Sequence, residues 1–306
     1  MVAEIIDGTR IAEQMRAEMR AKIAELKSRG ITPGLATVLV GDDPASRSYV
    51  GMKGKACVEM GMFSVGEKLP GQATEEELLK VIDRLNRDPR IHGILVQLPL
   101  PKHIDESRVI YAVSPEKDVD GLHPVNVGKM ISGEPGFVPC TPRGIQELLI
   151  RSGHSPEGKH VVIVGRSNLV GKPLANILIQ KRKGANATVT VCHTGTKDIA
   201  KHTRAADIIV AAAGSLNMIT ADMVREGAVV IDVGTNRVDD PTAKRGYRLV
   251  GDVDFEAVKQ KAAAISPVPG GVGPMTITLL LANTLEAASK TAPRQDAPAN
   301  PASHGG

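Results

Sequence analysis

Two polar side chains stand four residues apart in Tyr49-Val-Gly-Met-Lys53, so any helix that carries them presents both on one face. A lysine withdrawn from water gives up its proton more readily and can then orient or deprotonate a water molecule. Gly51 and Gly54 lie in the same segment, each costing about 1 kcal/mol of helix propensity relative to Ala. Glycines there point to close approach by another group. Gln97 ends the apolar run Gly93-Ile-Leu-Val-Gln97, and the carboxyl end of a strand is where an α/β fold offers side chains to a ligand. In Lys117-Asp-Val-Asp-Gly121 two carboxylates share a turn. Asp118 reads as the residue that braces the turn. Asp120 is free to accept paired hydrogen bonds from an amidine-like ring edge.

A second group of residues suits a phosphate. Val161-Val-Ile-Val-Gly165-Arg-Ser-Asn-Leu-Val-Gly171-Lys-Pro173 reads as a strand, a tight turn and a helix start. Gly165 lets the chain leave the strand close to a ligand, and the helix start offers N–H groups to a pyrophosphate. Ser167 takes the place of the second glycine in the usual GxGxxG pattern. The next strand ends in Cys192-His-Thr-Gly-Thr-Lys197 with no carboxylate to hold a ribose 2′-hydroxyl. Arg166, with Thr194 or His193, suits a 2′-phosphate instead, which favours NADP over NAD. Pro267-Val-Pro-Gly-Gly-Val-Gly-Pro274 packs three prolines and three glycines into eight residues, more than a simple turn requires.

These residues need elements to position them. Ile11, Met15, Met19, Ile23 and Leu26 recur every three or four positions before Gly30, predicting a helix over Thr9–Arg29. Leu35–Val40 predicts a strand, Ser46–Met60 a helix, and Thr74 with Glu77 a capping box opening another helix. Gly93–Leu98 is a further strand, and Thr141-Pro142 starts a helix. Four strand-like runs then alternate with helical stretches: His160–Val164, Thr188–Cys192, Asp207–Ala213 and Val229–Val233. That alternation predicts a doubly wound parallel sheet. A last helix is expected over about Thr276–Ser289, packed back on the first half. The expected fold is α/β with two domains. Residues 1–138 plus 275–290 form a catalytic domain, 139–274 a Rossmann-like domain for NADP, and 291–306 a disordered Pro/Ala/Ser/Gly tail.

Composition narrows the function. At 306 residues, 42% hydrophobic and 24% charged, the chain has the balance of a globular protein of two domains. A net charge of +4 without a basic block, and 2% aromatic residues without Trp, argue against nucleic acid. Cys57, Cys140 and Cys192 show neither disulfide nor metal-ligand spacing, so no metal is expected. With no membrane-length apolar run and no targeting segment, a cytoplasmic location and no membrane partner are expected.

Taken together, the segments resemble the methylenetetrahydrofolate dehydrogenase/cyclohydrolase family. The matching stretches are Tyr49–Lys53, Gly93–Pro99, Pro115–Leu122, Pro139–Pro142, Val164–Pro173, Val230–Gly234, Val250–Val253 and Pro267–Thr276, in the family's order. The resemblance implies two reactions in one cleft: oxidation of 5,10-methylenetetrahydrofolate with NADP, and hydrolysis of the 5,10-methenyl product to 10-formyltetrahydrofolate. It implies that Lys53 is the key catalytic lysine, Tyr49 lies along the folate, Gln97 supports the lysine and Asp120 holds the pterin edge. Pro269, Gly270, Gly273 and Pro274 are implied to line the folate site. The cofactor residues implied are Gly165, Arg166, Ser167, Val170, Gly171, His193, Thr194, Gly214, Gly234 and Thr235. Thr235 departs from the family, where many relatives carry isoleucine. A homodimer is implied as well. Two other readings are an enzyme of the dehydrogenase step alone and a silent sensor that keeps the fold; retention of Tyr49, Lys53, Gln97 and Asp120 together argues against the sensor. A short-chain dehydrogenase, which also uses Tyr and Lys four apart, is excluded because its pair follows the glycine loop, whereas Tyr49 and Lys53 precede Gly165.

Overall fold

The computed structural model describes residues 2–243 and 246–292, arranged around two parallel sheets and a small hairpin. The chain starts in a two-residue strand, β1 (Glu4–Ile5), and enters helix α1 (Gly8–Ser28), capped by the Asp7 carboxylate on the Arg10 N–H. The five apolar residues that announced this helix are all buried on one face. Next come β2 (Gly34–Val40), α2 (Pro44–Glu59), β3 (Phe63–Leu69), α3 (Glu75–Arg87) and β4 (Gly93–Val96). Helix α2 begins at Pro44, two residues before its expected start, because the Asp43 side chain caps the Ser46 N–H and proline suits a first turn. Thr74 and Glu77 close their capping box in both directions, at 2.8 and 3.2 Å. The first sheet runs β3-β2-β4, all parallel, so β2 is covered on both faces and every one of its residues is buried.

Helices α4 (Glu106–Ala112), α5 (Pro124–Ser132) and α6 (Cys140–Arg151) follow. The second sheet begins with β5 (His160–Val164), α7 (Gly171–Leu178), β6 (Thr188–Cys192), α8 (Ile199–Thr203), β7 (Ile208–Ala211) and β8 (Val229–Asp232). The chain continues through the antiparallel hairpin β9 (Asn236–Asp239) and β10 (Tyr247–Val250), then α9 (Phe255–Lys259), β11 (Ala264–Ile265) and α10 (Val272–Thr291). The order β1-β11-β8-β7-β5-β6 is parallel throughout. Alternate residues feed two cores, as period two requires. Val161, Ile163, Val210 and Ile231 join one cluster with α6, α7 and α10, while Val162, Val164, Ile209 and Val230 join another on the opposite face. Strand order turns back beside β5, which lies between β6 and β7, and that reversal opens the crevice where such sheets bind ligands.

Two departures from expectation bear on how the halves are joined. β1 is a strand that the sequence does not announce, and although it lies within residues 1–138 it pairs with β11 at the edge of the second sheet. Helix α10 begins at Val272 rather than about Thr276, so Gly273 and Pro274 lie in its first turn instead of in a loop; proline lacks only an N–H that the first turn leaves unpaired anyway. The helix lies against α1 and α6 and also meets α2, β2 and β4. Of the expected tail, Thr291 closes α10, and residues 293–306 lie outside the described residues.

Candidate active site

Helix α2 and strand β4 build the first part of the site. Lys53 is 5% exposed and its Nζ donates to Gln97 Oε1 at 3.1 Å. The Gln97 amide is fixed at its other end, where Nε2 donates to the Leu98 carbonyl at 2.7 Å. That second bond leaves the carbonyl end of the amide facing the lysine. The Lys53 ammonium also sits 4.4 Å from the centroid of the Tyr49 ring. Burial lowers the Lys53 pKa below that of an ordinary lysine, and the Asp120 carboxylate opposes the shift in part. Burial raises the Tyr49 hydroxyl, which hydrogen-bonds the Thr276 side chain and stays protonated near neutrality.

The two carboxylates of the acidic turn separate as expected. Asp118 is buried and accepts from the N–H groups of Leu122 at 3.2 Å and His123 at 2.8 Å, and from Asn126 Nδ2 at 2.9 Å. Burial nonetheless pushes its pKa up to about 6. Asp120 instead lines an open cleft of about 560 Å³ with Tyr49, Lys53 and Gln97. Directly after Asp120, Gly121 has φ +71°, and a Cβ there would lie 2.7 Å from the backbone of Val138 and Pro139. The turn is thus pressed against the segment that leads into α6.

Cys140, Thr141 and Thr276 also line the cleft, although the sequence places none of them in the site and gives Thr141 only a helix start. Thr141 Oγ1 and Thr276 Oγ1 are 3.0 Å apart. Their signal was present, since both threonines lie in motifs singled out for a helix start and a Pro/Gly run. Pro269, Gly270, Gly273 and Pro274 are not in the cleft wall. Gly270, at φ +106°, accepts the Thr9 N–H on its carbonyl at 3.1 Å, and the run delivers Thr276 to the cleft two residues after Pro274.

All ten residues expected for a cofactor follow the carboxyl ends of β5, β6, β7 and β8. Gly165 has φ +135°, and a Cβ there would strike the Ala212 carbonyl; a Cβ on Gly171 would strike the Gly165 carbonyl. Both positions need glycine for the loop to fold this tightly before α7. Ser167 Oγ accepts from the Val170 N–H at 3.1 Å. Arg166 is exposed and has no side-chain partner among the described residues. Thr194 is exposed, while His193 uses Nδ1 to accept the Gly195 N–H at 3.0 Å. The ring therefore shapes its own turn and keeps only Nε2 for a ligand. Gly214 has φ +66°, Gly234 is buried, and Thr235 is exposed beside it. These residues fit a phosphorylated dinucleotide, since the cradle is glycine-lined, the helix start is at hand, the end of β6 carries no acid and Arg166 in the loop has no side-chain partner among the described residues. Leu169, in the same glycine loop, also lines the cleft that holds Lys53.

Comparison with known proteins covers both halves. Residues 6–120 match the model for the catalytic domain of tetrahydrofolate dehydrogenase/cyclohydrolase, and residues 139–292 match its NAD(P)-binding domain. The bifunctional protein FolD of Dehalococcoides mccartyi strain CBDB1 is 64% identical, over 95% of this chain and 98% of its own. That of Syntrophus aciditrophicus is 60% identical, over 95% and 99%. Among solved structures, the bifunctional FolD enzyme of Campylobacter jejuni superposes with a TM-score of 0.88 at 48% identity, covering 94% of this chain and 99% of that one. The Trypanosoma brucei enzyme, complexed with NADP and an inhibitor, gives 0.90 at 42%, covering 95% and 98%.

Proposed function

The chain belongs to the tetrahydrofolate dehydrogenase/cyclohydrolase family, and from that premise we propose how its residues share the two reactions. The enzyme oxidises 5,10-methylenetetrahydrofolate with NADP and hydrolyses 5,10-methenyltetrahydrofolate to 10-formyltetrahydrofolate. The observation that carries this reading is the adjacency of the two sites: Leu169 of the glycine loop and Lys53 of α2 face one cleft. Held on the loop from Gly165 to Gly171, NADP would supply the hydride acceptor for the one-carbon bridge.

Lys53 and its neighbours act on the same carbon in both steps. As hydride leaves, the bridge becomes a cationic methenyl group shared between N5 and N10. A neutral Lys53 amine, which burial favours, does not oppose that charge. In the second step water adds to the carbon and gives one proton to Lys53, and the hydroxyl proton of the resulting carbinol moves to N5 as the bond from carbon to N5 breaks, leaving a formyl group on N10. Gln97 Oε1 keeps the lysine nitrogen in place, and Tyr49, held by Thr276, forms the wall along the folate. Asp120 accepts hydrogen bonds from the pterin edge, and the cofactor phosphates lie on the loop from Gly165 to Gly171. We further propose a homodimer and a cytoplasmic location; no helix among the described residues is long and apolar enough to cross a membrane. We also propose domain limits of 1–138 plus 275–290 and 139–274, with β1 crossing to the second sheet.

The test follows NADPH formation from 5,10-methylenetetrahydrofolate and, separately, loss of the methenyl chromophore without NADP. Both activities are expected. Oxidation without hydrolysis would leave a dehydrogenase alone, and neither would leave a sensor. Asp120→Ala should raise the folate KM of both reactions by about tenfold, the lower end for a charge-assisted bond in an open cleft, with NADP binding intact. Unchanged folate affinity by calorimetry would remove Asp120 from the pterin site.

A further inference from the structure

The motif around Val250–Val253 has no place in the chemistry above, yet it contains a buried carboxylate with an unusual set of partners. Asp252 is fully buried. Its oxygens accept from three consecutive backbone N–H groups, Ala213 at 2.7 Å, Gly214 at 2.8 Å and Ser215 at 3.0 Å, and from Asn236 Nδ2 at 2.9 Å. A second buried carboxylate, Asp232 at the end of β8, holds the backbone of the first. Asp232 accepts from the N–H groups of Asp252 at 2.9 Å, Val253 at 3.0 Å and Gly234 at 2.9 Å. Burial pushes Asp232 up to about 6, and the neighbouring Asp252 charge adds to the shift. The packing admits no side chain nearby, since a Cβ on Gly234 would strike the Asp252 carboxylate and one on Gly251 the Asp232 carboxylate.

A pair of adjacent buried carboxylates is a costly way to close a loop, and well-packed apolar residues would serve stability as well. What the pair does supply is a fixed shape at one place. The 213–215 loop leaves the carboxyl end of β7, and Ala212 just before it donates to the Val164 carbonyl at 2.8 Å, beside Gly165. It therefore borders the crevice at the reversal of strand order, opposite the glycine loop.

We propose that Asp252, seated on Asp232, is a positioning residue for the dinucleotide: it sets the conformation of residues 213–215, which form the far wall of the cofactor crevice. Because the three N–H groups of this loop already bind Asp252, and a carboxylate lies beneath them, the loop meets a neutral part of the dinucleotide. Its phosphates are left to the Gly165–Gly171 side. The inference rests on the cofactor reading given above.

The test uses the full chain with Asp252→Asn and, as a milder change, Asn236→Ala, which removes a single donor to Asp252. In Asp252→Asn an amide NH₂ must face several N–H donors, so the loop loses its shape. The dissociation constant and KM for NADP should rise about tenfold, as for loss of a charge-assisted bond, with a smaller rise in Asn236→Ala. The kcat at saturating NADP, the folate KM and hydrolysis of the methenyl substrate without NADP should stay within about twofold, because those sites are separate. Amide hydrogen exchange at 213–215 should quicken while β5 stays protected. Wild-type NADP affinity in both variants overturns the inference and leaves the cofactor reading standing. An equal loss of NADP binding and NADP-free hydrolysis in both variants also overturns it, since that is general destabilisation. Failure of the wild type to bind NADP at all overturns the cofactor reading and the inference with it. Should Asp252→Asn not fold, Asn236→Ala decides by the same measurements.

Discussion

Replacing Lys53 with Met should reduce hydrolysis of 5,10-methenyltetrahydrofolate to background and leave the protein folded. Methionine keeps most of the length and the apolar stem of the lysine, so the packing beneath Tyr49 survives. The nitrogen that Gln97 Oε1 holds at 3.1 Å is lost. A positioned acid or base contributes about a hundred- to ten-thousandfold, and of the other titratable groups in the cleft wall among the described residues Asp120 is engaged by the pterin edge, while two are raised by burial. Tyr49 is shifted upward, and Cys140 is raised by burial and by the Asp120 charge. The dehydrogenase step should fall less or similarly, and the melting temperature should barely move because the change removes a buried, desolvated nitrogen. The pH profile adds a sign. Burial lowers the Lys53 pKa, so hydrolysis by the wild type should rise with pH through an inflection below the ordinary lysine value of about 10.4, and Lys53→Met should lose that inflection. A solvated helix face would instead give near-normal rates in both steps.

Arg166→Ser should cost NADP affinity far more than NAD affinity, measured by titrating each cofactor. Arg166 is exposed at the start of the glycine loop, with no side-chain partner among the described residues and no carboxylate at the end of β6 to favour a free 2′-hydroxyl. A charge-assisted hydrogen bond is worth roughly 1.5–3 kcal/mol, so NADP should bind roughly 10- to 150-fold more weakly. NAD, lacking the phosphate, should change little. Equal losses for the two cofactors would show that Arg166 does not read the 2′-phosphate and would move that role to Thr194 or to His193 Nε2.

What the sequence made legible follows from how local each signal is. The helical face shared by Tyr49 and Lys53 is a matter of spacing, and so is the Thr74 capping box; both stand in the structure. The strands β5, β7 and β8 are readable because burial on both faces makes them nearly continuous apolar runs, and the edge strand β6 because valine alternates with threonine in it. β3 escaped because Ser64, Gly66, Glu67 and Lys68 interrupt its apolar residues at the sheet edge. β1 is too short to carry a period. The start of α10 is hidden because Gly273 and Pro274, which usually mark a loop, lie in its first turn.

The site divides in the same way. The glycine loop and the acidic turn are contiguous motifs, and each could be given a chemistry from its own residues. The bond from Lys53 to Gln97 spans two elements and entered the sequence reading only through family resemblance. The hold of Asp252 on residues 213–215 and of Asp232 on Asp252 joins segments far apart in the chain, and no local pattern announces a carboxylate that binds distant backbone. Thr276 shows the intermediate case: its motif was noticed, while its contact with Tyr49 depends on where α10 begins.

The central claim is that one cleft performs both reactions, and an unreactive folate analogue tests it most directly. With NADP at the same saturating level in both assays, the analogue should compete with folate in oxidation and in hydrolysis with a single inhibition constant. Two different constants, or inhibition of one reaction alone, would contradict a shared cleft built on Lys53.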